Sequence, residues 1–249
     1  MTNKEKIISK FLAVKKLGYV KSHRRNNTGI GKTFEDYVGV VENNIDEPDL
    51  FGFEIKSHRE EAQSYITLFT KSPSYPKGAN AYLKDNFGTP YEENPDLKKL
   101  HTSMFADKEN NYGGKYAFQL INDREKECIY IAVFSMRTKK VLDCSCGYTY
   151  ADLKIALERK LRNLFYVTAE TKEDKKGTEY FWFNNAEIYE KPSFEKFLIL
   201  LDKGLIMYDI RIGSYQSGPN YGKAHDHGSG FRIQEKNLSK LYLIHEKVE

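Results

Sequence analysis

Long apolar runs are scarce in this chain. The longest is six residues, Ile129 to Phe134, far short of the roughly 20 that a membrane-crossing helix needs. Cysteine is equally scarce: Cys128, Cys144 and Cys146 are an odd number without the spacing of a disulfide framework, which suits a reducing compartment. The opening residues, MTNKEKIISKFLAVKKLG, are interrupted by lysines and lack the continuous apolar segment of a secretory signal. These absences predict a cytoplasmic protein with no membrane partner. Charge of both signs is plentiful, at 30 % of residues with a formal net charge of +4, so an anionic partner is permitted without being required. At 249 residues the chain can bury a substantial core, as one large domain or as two lobes sharing a site.

The stretch TGIGKTFED, Thr28 to Asp36, contains GIGKT. A phosphate-binding P-loop reads G-x-x-x-x-G-K-[ST] and follows a buried strand, because its backbone N–H groups cradle phosphates at a strand-to-helix turn. Here Asn26 takes the place of the first glycine, and the preceding KSHRRNN has no apolar residue, so the context argues against a P-loop. Thr33 followed by Asp36 resembles a capping box, and Phe34, Tyr37, Val38 and Val41 form one apolar helix face beyond it. GIGKT thus reads as a helix entrance.

Elsewhere, Ile7, Ile8, Phe11, Leu12, Val14 and Leu17 predict an opening amphipathic helix with Asn3 as N-cap and Gly18 as its stop. After the polar turn NNIDEPD, the run LFGFEIKS (Leu50 to Ser57) alternates as a strand, with SYITLFT (Ser64 to Thr70) as its expected neighbour. Residues 71–115, rich in Pro, Gly, Asn and Lys, are expected to be largely irregular. Strands are predicted at Tyr116 to Ile121, Cys128 to Ser135 and Lys139 to Ser145, then a helix over Tyr150 to Leu161. The last third alternates strand-like LFYVTAE, TEYFWFNN and LIMYDIRIG with a short helix from Ser193 and a glycine-rich stretch to HDHGSGFRI. The overall order is mixed α/β.

Most informative is PDLFGFEIK, Pro48 to Lys56. Glu54 and Lys56, two apart on a strand, share one face, while Phe53 and Ile55 turn to the core and Asp49 sits at the strand's start. Two carboxylates and a lysine converging on one edge can hold Mg²⁺ through hard oxygen ligands and orient the water that attacks a phosphorus. A solvated ion pair at a strand end is the commoner fate of Glu-x-Lys.

Pro-Asp followed by Glu-x-Lys resembles the PD-(D/E)XK nuclease core. Together with Glu35 on the second helix, TGIGKTFEDYVG and EPDLFGFEIKSH are similar to the MutH-like nucleases, and within them to the MvaI/BcnI family of type II restriction endonucleases. The resemblance is strong over Thr28 to Pro73 and returns at HDHGSGFRI. It implies an α/β, restriction-endonuclease-like core with a mixed sheet flanked by helices and two lobes forming a DNA cleft. Carried over position by position, it makes Asp49 and Glu54 the metal ligands, Lys56 the catalytic lysine and Glu35 the supporting helix carboxylate.

The segment Gly213 to Ile233 mixes glycines, aromatics and polar groups suited to base edges, since Arg can pair with guanine O6 and N7 and Asp can accept from cytosine N4. The resemblance places DNA recognition here, on Arg211, Tyr215, His225, Asp226, His227 and Arg232. Lys32 and Lys71 are candidate phosphate contacts, with Lys77, His58 and Arg59 weaker ones. A zinc site of Cys144, Cys146, His225 and His227 remains open as an alternative, although its one-residue spacings are tighter than usual.

Residues 1–125 are expected to form the catalytic lobe, and 126–249 a recognition lobe that returns strands to the core. The resemblance further implies a Mg²⁺-dependent enzyme of bacterial cytoplasm that cuts double-stranded DNA within CC(A/T)GG, acts as a monomer on the two strands in turn, and is paired with a cognate DNA methyltransferase. Two rival readings are a MutH-like strand-nicking repair endonuclease and a non-catalytic DNA-binding or zinc module.

Overall fold

The computed structural model describes residues 1–26, 28–40, 49–60 and 65–249. In chain order its elements open with α1 (Asn3–Lys15), β1 (Val20–Lys21), α2 (Gly29–Val38), β2 (Phe53–Arg59) and β3 (Tyr65–Thr70). Next come α3 (Ala79–Phe87), β4 (Thr89–Pro90), β5 (Lys98–Met104), β6 (Tyr116–Asp123), β7 (Cys128–Ser135), β8 (Val141–Thr149) and α4 (Tyr150–Lys160). The chain ends through β9 (Asn163–Glu173), β10 (Glu179–Pro192), α5 (Phe194–Asp202), β11 (Ile206–Ser214), β12 (Ala224–Asp226), β13 (Gly230–Gln234), a 3₁₀ helix (Glu235–Leu241) and β14 (Tyr242–Val248).

Two compact units result, and neither is a continuous half of the chain. The first is Met1–Ser64 with Lys160–Ser193 and Tyr242–Glu249; the second is Tyr65–Arg159 with Phe194–Leu241. The chain therefore changes units at residue 65, not at the expected boundary of 125, and returns at 160 and 242. Strand pairing dictates this: β3 pairs with β13, so that Phe69 lies opposite Phe231 across 162 positions of sequence.

The first unit is a mixed sheet in the order β1-β10-β9-β2, with β14 also on β10. Among the described residues only β2 and β9 run parallel; the other described pairs are antiparallel. One face is covered by α1 and α2, whose Ile7, Phe11, Ile30, Phe34 and Val38 pack with Phe53, Ile55, Phe165, Val167, Phe181 and Phe183 of the strands. Phe34 is fully buried and lies 5.1 Å from Phe183, ring to ring. Burial of such a ring contributes roughly 1.5–3 kcal/mol.

Local chemistry at the two helix starts differs from the sequence expectation. The N-cap of α1 is Thr2, which forms a capping box with Glu5, so Asn3 is already helical. Likewise α2 begins at Gly29 with no side-chain cap, which puts Thr33 inside the helix. Buried Thr33 spends its hydroxyl on the Gly29 carbonyl at 2.7 Å and accepts from the His23 amide at 2.9 Å. Of the expected apolar face, Phe34 and Val38 are buried, but Tyr37 is exposed and packs on the His23 ring at 5.2 Å. Val41, Pro48 and most of the NNIDEPD turn lie outside the described residues.

In the second unit, β3-β13-β11-β5-β4 form one sheet, with β12 added to β11, and β6-β7-β8 form another. SYITLFT is thus a strand, as expected, but its partner is β13, whereas β2 pairs with β9. Segment 71–115 is more ordered than its composition suggests. It carries α3, β4 and β5, and α3 escapes recognition because its N-cap is Gly78 in the left-handed region (φ 78°), with no capping side chain.

Candidate functional site

Strand β2 has one ladder partner, β9, so its other edge is open among the described residues. Alternation sends Phe53 and Ile55 inward, at 2 % and 5 % exposure, and leaves Glu54 and Lys56 together on the opposite face. Lys56 Nζ lies 3.5 Å from Glu54 Oε1. Asp49 joins them by a tight turn. Leu50 and Phe53 exchange backbone hydrogen bonds at 3.1 and 2.9 Å around Phe51 and Gly52, both at positive φ (51° and 82°). Positive φ at both central positions is the geometry of a type I′ turn, which glycine makes affordable. The turn folds Asp49 back so that its Oδ2 accepts the Ile55 N–H at 2.7 Å, leaving Oδ1 available. The expected strand over Leu50 to Ser57 is therefore a turn followed by a strand.

Burial raises the Glu54 pKa; the Asp49 charge adds to this, and Lys56 opposes it. A pair of carboxylates short of positive charge, one tethered by a backbone amide, is a donor set that fits a hard divalent cation. Mg²⁺ in particular needs only one or two protein carboxylates and keeps its remaining coordination for water and phosphate. Among the described residues no group of three or more His, Cys, Asp or Glu side chains is gathered as ligands.

Behind Glu54 stands an aromatic wall that the sequence did not reveal. His58 stacks on Tyr166 at 5.4 Å, Tyr189 lies 6.4 Å from Tyr166, and Tyr242 lies 5.3 Å from Tyr189. Burial, then the Glu54 charge, pushes the Tyr242 hydroxyl above its ordinary pKa. Burial lowers the His58 pKa, and Lys56 and Arg59 add to the effect, which favours the neutral ring beside Tyr166. Arg59 is likewise committed, donating three hydrogen bonds of 2.9–3.1 Å to Glu179.

Glu35 is half-buried on α2, the helix packed against β2. A Cβ added to Gly31, one turn earlier, would lie 3.7 Å from its Oε1. Lys32 pairs with Asp36 at 2.7 Å. Gly29 has a clear structural reason: a Cβ there would meet the Arg24 carbonyl at 2.3 Å and Ser22 Oγ at 2.7 Å. This glycine admits the protein's own preceding loop.

In the second unit the sheet around β11 is apolar on one face and polar on the other. Tyr208, between Phe231 and Met104 in the register, Ile210, and Ile212 opposite Leu100 form the buried face. On the other, register places Asp209 opposite Ser103, Arg211 opposite His101, Gly213 opposite His225 and Arg232 opposite Thr67. Asp209, 6 % exposed, organises this face. Its Oδ2 accepts from Arg211 Nε at 2.6 Å, and its Oδ1 accepts from Ser103 Oγ at 3.0 Å. Arg232 Nε approaches the same Oδ2 at 2.9 Å, off its N–H axis. The two arginines differ in reach: the Arg211 side chain is 49 % exposed, whereas that of Arg232 is 12 % exposed and also donates to Thr67 Oγ1 at 2.7 Å.

Next to Arg211 runs a ladder of rings. Tyr215 stacks on His225 at 4.3 Å, His225 lies 4.1 Å from His227, and His227 meets His101 edge-on at 6.0 Å. Burial, then the neighbouring His227, lowers the His101 pKa. Asp226 turns the other way. Its register partner is Ile212, on the buried face, and both of its oxygens are engaged. Oδ2 accepts from buried Asn80 at 2.7 Å, while Oδ1 accepts the Gly228 and Ser229 amides at 3.0 and 2.7 Å. Ser229 Oγ in turn accepts the Arg211 N–H at 2.8 Å, and the Gly228 carbonyl accepts from Arg232 at 3.3 Å. Lys71, 27 % exposed at its side chain, stands 4.0 Å from Asp152.

The zinc alternative is not assembled. Cys146 is fully buried in β8, its thiol pushed up to about 11 by burial, while Cys144 is exposed, His225 stacks on Tyr215 and His227 packs on His225. Asp209 and Asn80 are the residues that sequence reasoning missed. Asp209-x-Arg211 has the same two-residue spacing that exposed Glu54 and Lys56, so the signal was present.

Comparison with known proteins places these features. Among curated proteins no match was found. The solved structure of the restriction endonuclease MvaI in complex with its cognate DNA is 32 % identical, with a TM-score of 0.83 over 98 % of this chain and 97 % of that one. MvaI without DNA gives 32 % identity and a TM-score of 0.70 over 100 % and 98 %. The sequence model of the MvaI/BcnI restriction endonuclease family matches residues 8–242. A PD-(D/E)XK-like strand carrying Glu54 and Lys56, with Asp49 folded onto it, lies within that matched span, and the chain is a member of the MvaI/BcnI restriction endonuclease family.

Proposed function

We propose that this type II restriction endonuclease, a site-specific deoxyribonuclease by family, uses Asp49, Glu54 and Lys56 to hydrolyse a phosphodiester bond with Mg²⁺ as cofactor. The observation that carries the reading is the Asp49 carboxylate held by the Ile55 amide beside the Glu54–Lys56 pair. The Asp49 and Glu54 carboxylates would hold the cation. Bound there, Mg²⁺ would supply positive charge against the negative charge that develops on the scissile phosphate. Lys56 Nζ orients the attacking water, and the open side of β2 admits the DNA strand. Glu35, on the helix packed against β2, supports the arrangement from outside the ligand pair.

In the second unit, Arg211 and the Tyr215–His225–His227 ladder are the groups with the exposure to read base edges, and Asp209 aims Arg211. Arg232 buttresses Asp209, and Asp226 shapes the turn that carries the histidines. Similarity to MvaI, solved with its cognate DNA substrate, supports action on duplex DNA; the motif resemblance to the MvaI/BcnI family adds cleavage within CC(A/T)GG by a monomer that cuts the two strands in turn and has a methyltransferase counterpart. No described helix is long and apolar enough to cross a membrane; a bacterial cytoplasmic setting follows from the restriction role. Digestion of a sequenced plasmid with Mg²⁺, followed by mapping of both ends, tests the whole reading. Double-strand breaks at CC(A/T)GG are expected. Nicks alone would favour the strand-nicking alternative, and intact plasmid would defeat the nuclease assignment.

A further inference from the structure

Away from Glu54 and Lys56, the first unit carries a pocket of about 600 Å³ between the loop that follows β1 and the β9–β10 hairpin. Lys21, Arg24 and Arg25 come from the loop and Lys176 from the hairpin, against the carboxylates of Glu173 and Glu179. Glu179 is already neutralised by Arg59. His23, also in the lining, is held by Asp36 at 2.8 Å. Lys21, Arg25 and Lys176 have no carboxylate within ion-pair distance among the described residues, so the pocket concentrates positive charge in a concave surface, where fields are strongest.

The loop's shape is fixed by contacts that leave its cations outward. Ser22 pairs its amide with the Glu179 carbonyl at 2.9 Å and its hydroxyl with the Arg24 carbonyl at 2.7 Å. Thr33 holds the His23 amide, and Gly29 gives the loop room to close against α2. This is a built concavity and not a row of independent surface lysines.

Its position sets its partner. Lys56 lies opposite Tyr166 in the parallel pair. Glu173, at the pocket, lies further along the same β9 strand by roughly 23 Å, at about 3.3 Å per residue. That span matches about seven base-pair steps of 3.4 Å. We propose that this pocket holds a backbone phosphate of the substrate duplex, outside the target bases and about seven base pairs from the cut. The inference rests on the nuclease reading above. Phosphate contacts add affinity for any sequence and fix register on the duplex, so the pocket extends the footprint without adding sequence information.

The test compares wild type, Lys21→Ala/Arg25→Ala/Lys176→Ala and the single Lys176→Glu, which sits in an exposed hairpin turn and spares the sheet. Each is titrated, with Ca²⁺ replacing Mg²⁺, on target duplexes of about 12 and about 30 base pairs across salt concentrations. On the long duplex the triple variant is expected to show a salt slope shallower by about two to three, at about 0.9 per lost contact, and Lys176→Glu a slope shallower by about one. On the short duplex both should match wild type, and cleavage of the bound short duplex should be unchanged. Equal slopes for wild type and Lys176→Glu on the long duplex would overturn the proposal, as would an equal loss on both lengths. Melting curves of the DNA-free protein in EDTA with inorganic phosphate, at matched ionic strength, separate the two phosphate sources: stabilisation of wild type but not of the triple variant, together with equal salt slopes for the two on the long duplex, would assign the pocket to free phosphate instead. If wild type itself neither cuts nor prefers target DNA, it is the nuclease reading that has failed.

Discussion

The side-chain amide of Asn80 donates to Asp226 Oδ2 at 2.7 Å, and its carbonyl oxygen accepts from the Tyr208 hydroxyl at 3.0 Å. Asn80 is 4 % exposed and Tyr208 fully buried, so neither touches a DNA base, yet the pair anchors the turn on which His227, Arg211 and Arg232 depend.

Asn80→Ala removes the anchor and leaves the buried Tyr208 hydroxyl unsatisfied, a cost of about 1–3 kcal/mol. Part of that cost should appear as recognition. Binding to target and scrambled duplexes should show the ratio between them falling by roughly tenfold, about 1.4 kcal/mol, with little change in binding to scrambled DNA. An intact ratio would mean that the turn keeps its shape without Asn80.

Lys56→Ala and Asp49→Ala should each reduce cleavage by several orders of magnitude while specific binding with Ca²⁺ survives, because both act on the reacting phosphate and not on the bases. Single-turnover cleavage on a saturated duplex is the measurement. Near-wild-type cutting by either variant removes that residue from the site.

Burial raises the Glu54 pKa above its unfolded value, which is near 4.3. For an acid shifted upward, the folded state holds the proton more tightly. The associated stability is fully present below the unfolded value and is lost as pH rises through the folded one. In EDTA, Glu54→Gln should therefore raise the melting temperature at neutral pH and give no gain near pH 4. Parallel melting curves for wild type and variant across pH check the sign.

Arg211→Ala should lower discrimination by the amount of a bidentate base contact, about 1–3 kcal/mol, with little change in overall fold. Arg232→Ala should instead act mainly through stability, because it strips a partner from a nearly buried aspartate and from Thr67. Melting temperatures measured beside binding ratios separate the two. Equal losses of discrimination at unchanged stability would return Arg232 to the reading surface.

Strand β2 was legible because it obeys a short-range rule: period-2 alternation puts Glu54 and Lys56 on one face whatever the rest of the chain does. Asp49 was legible through its motif, but its route to Ile55 depended on positive φ at Phe51, a non-glycine residue whose conformation sequence does not announce. The division into units was not legible, since pairing Phe69 with Phe231 leaves no local trace. Thr33 misled because a threonine three residues before an aspartate satisfies the capping pattern equally well inside a helix, where the hydroxyl turns back to the Gly29 carbonyl. The bonds of Asp226 were not legible: it stays exposed, but its oxygens accept from Asn80 and from the Gly228 and Ser229 amides, partners that alternation does not announce.

The hydrogen bond from Ile55 to Asp49 also bears on how the protein behaves in solution. A strand with one ladder partner presents a row of free amides and carbonyls on its far side, a template on which a strand from another molecule can add. Asp49 occupies one of those amides and places a negative charge along the row, so the side chain proposed above as a cation ligand also acts as a gatekeeper against self-association. Selection for activity and selection for solubility therefore meet at one carboxylate. Asn in that place keeps an acceptor for the amide while losing the charge, whereas Ala gives up both.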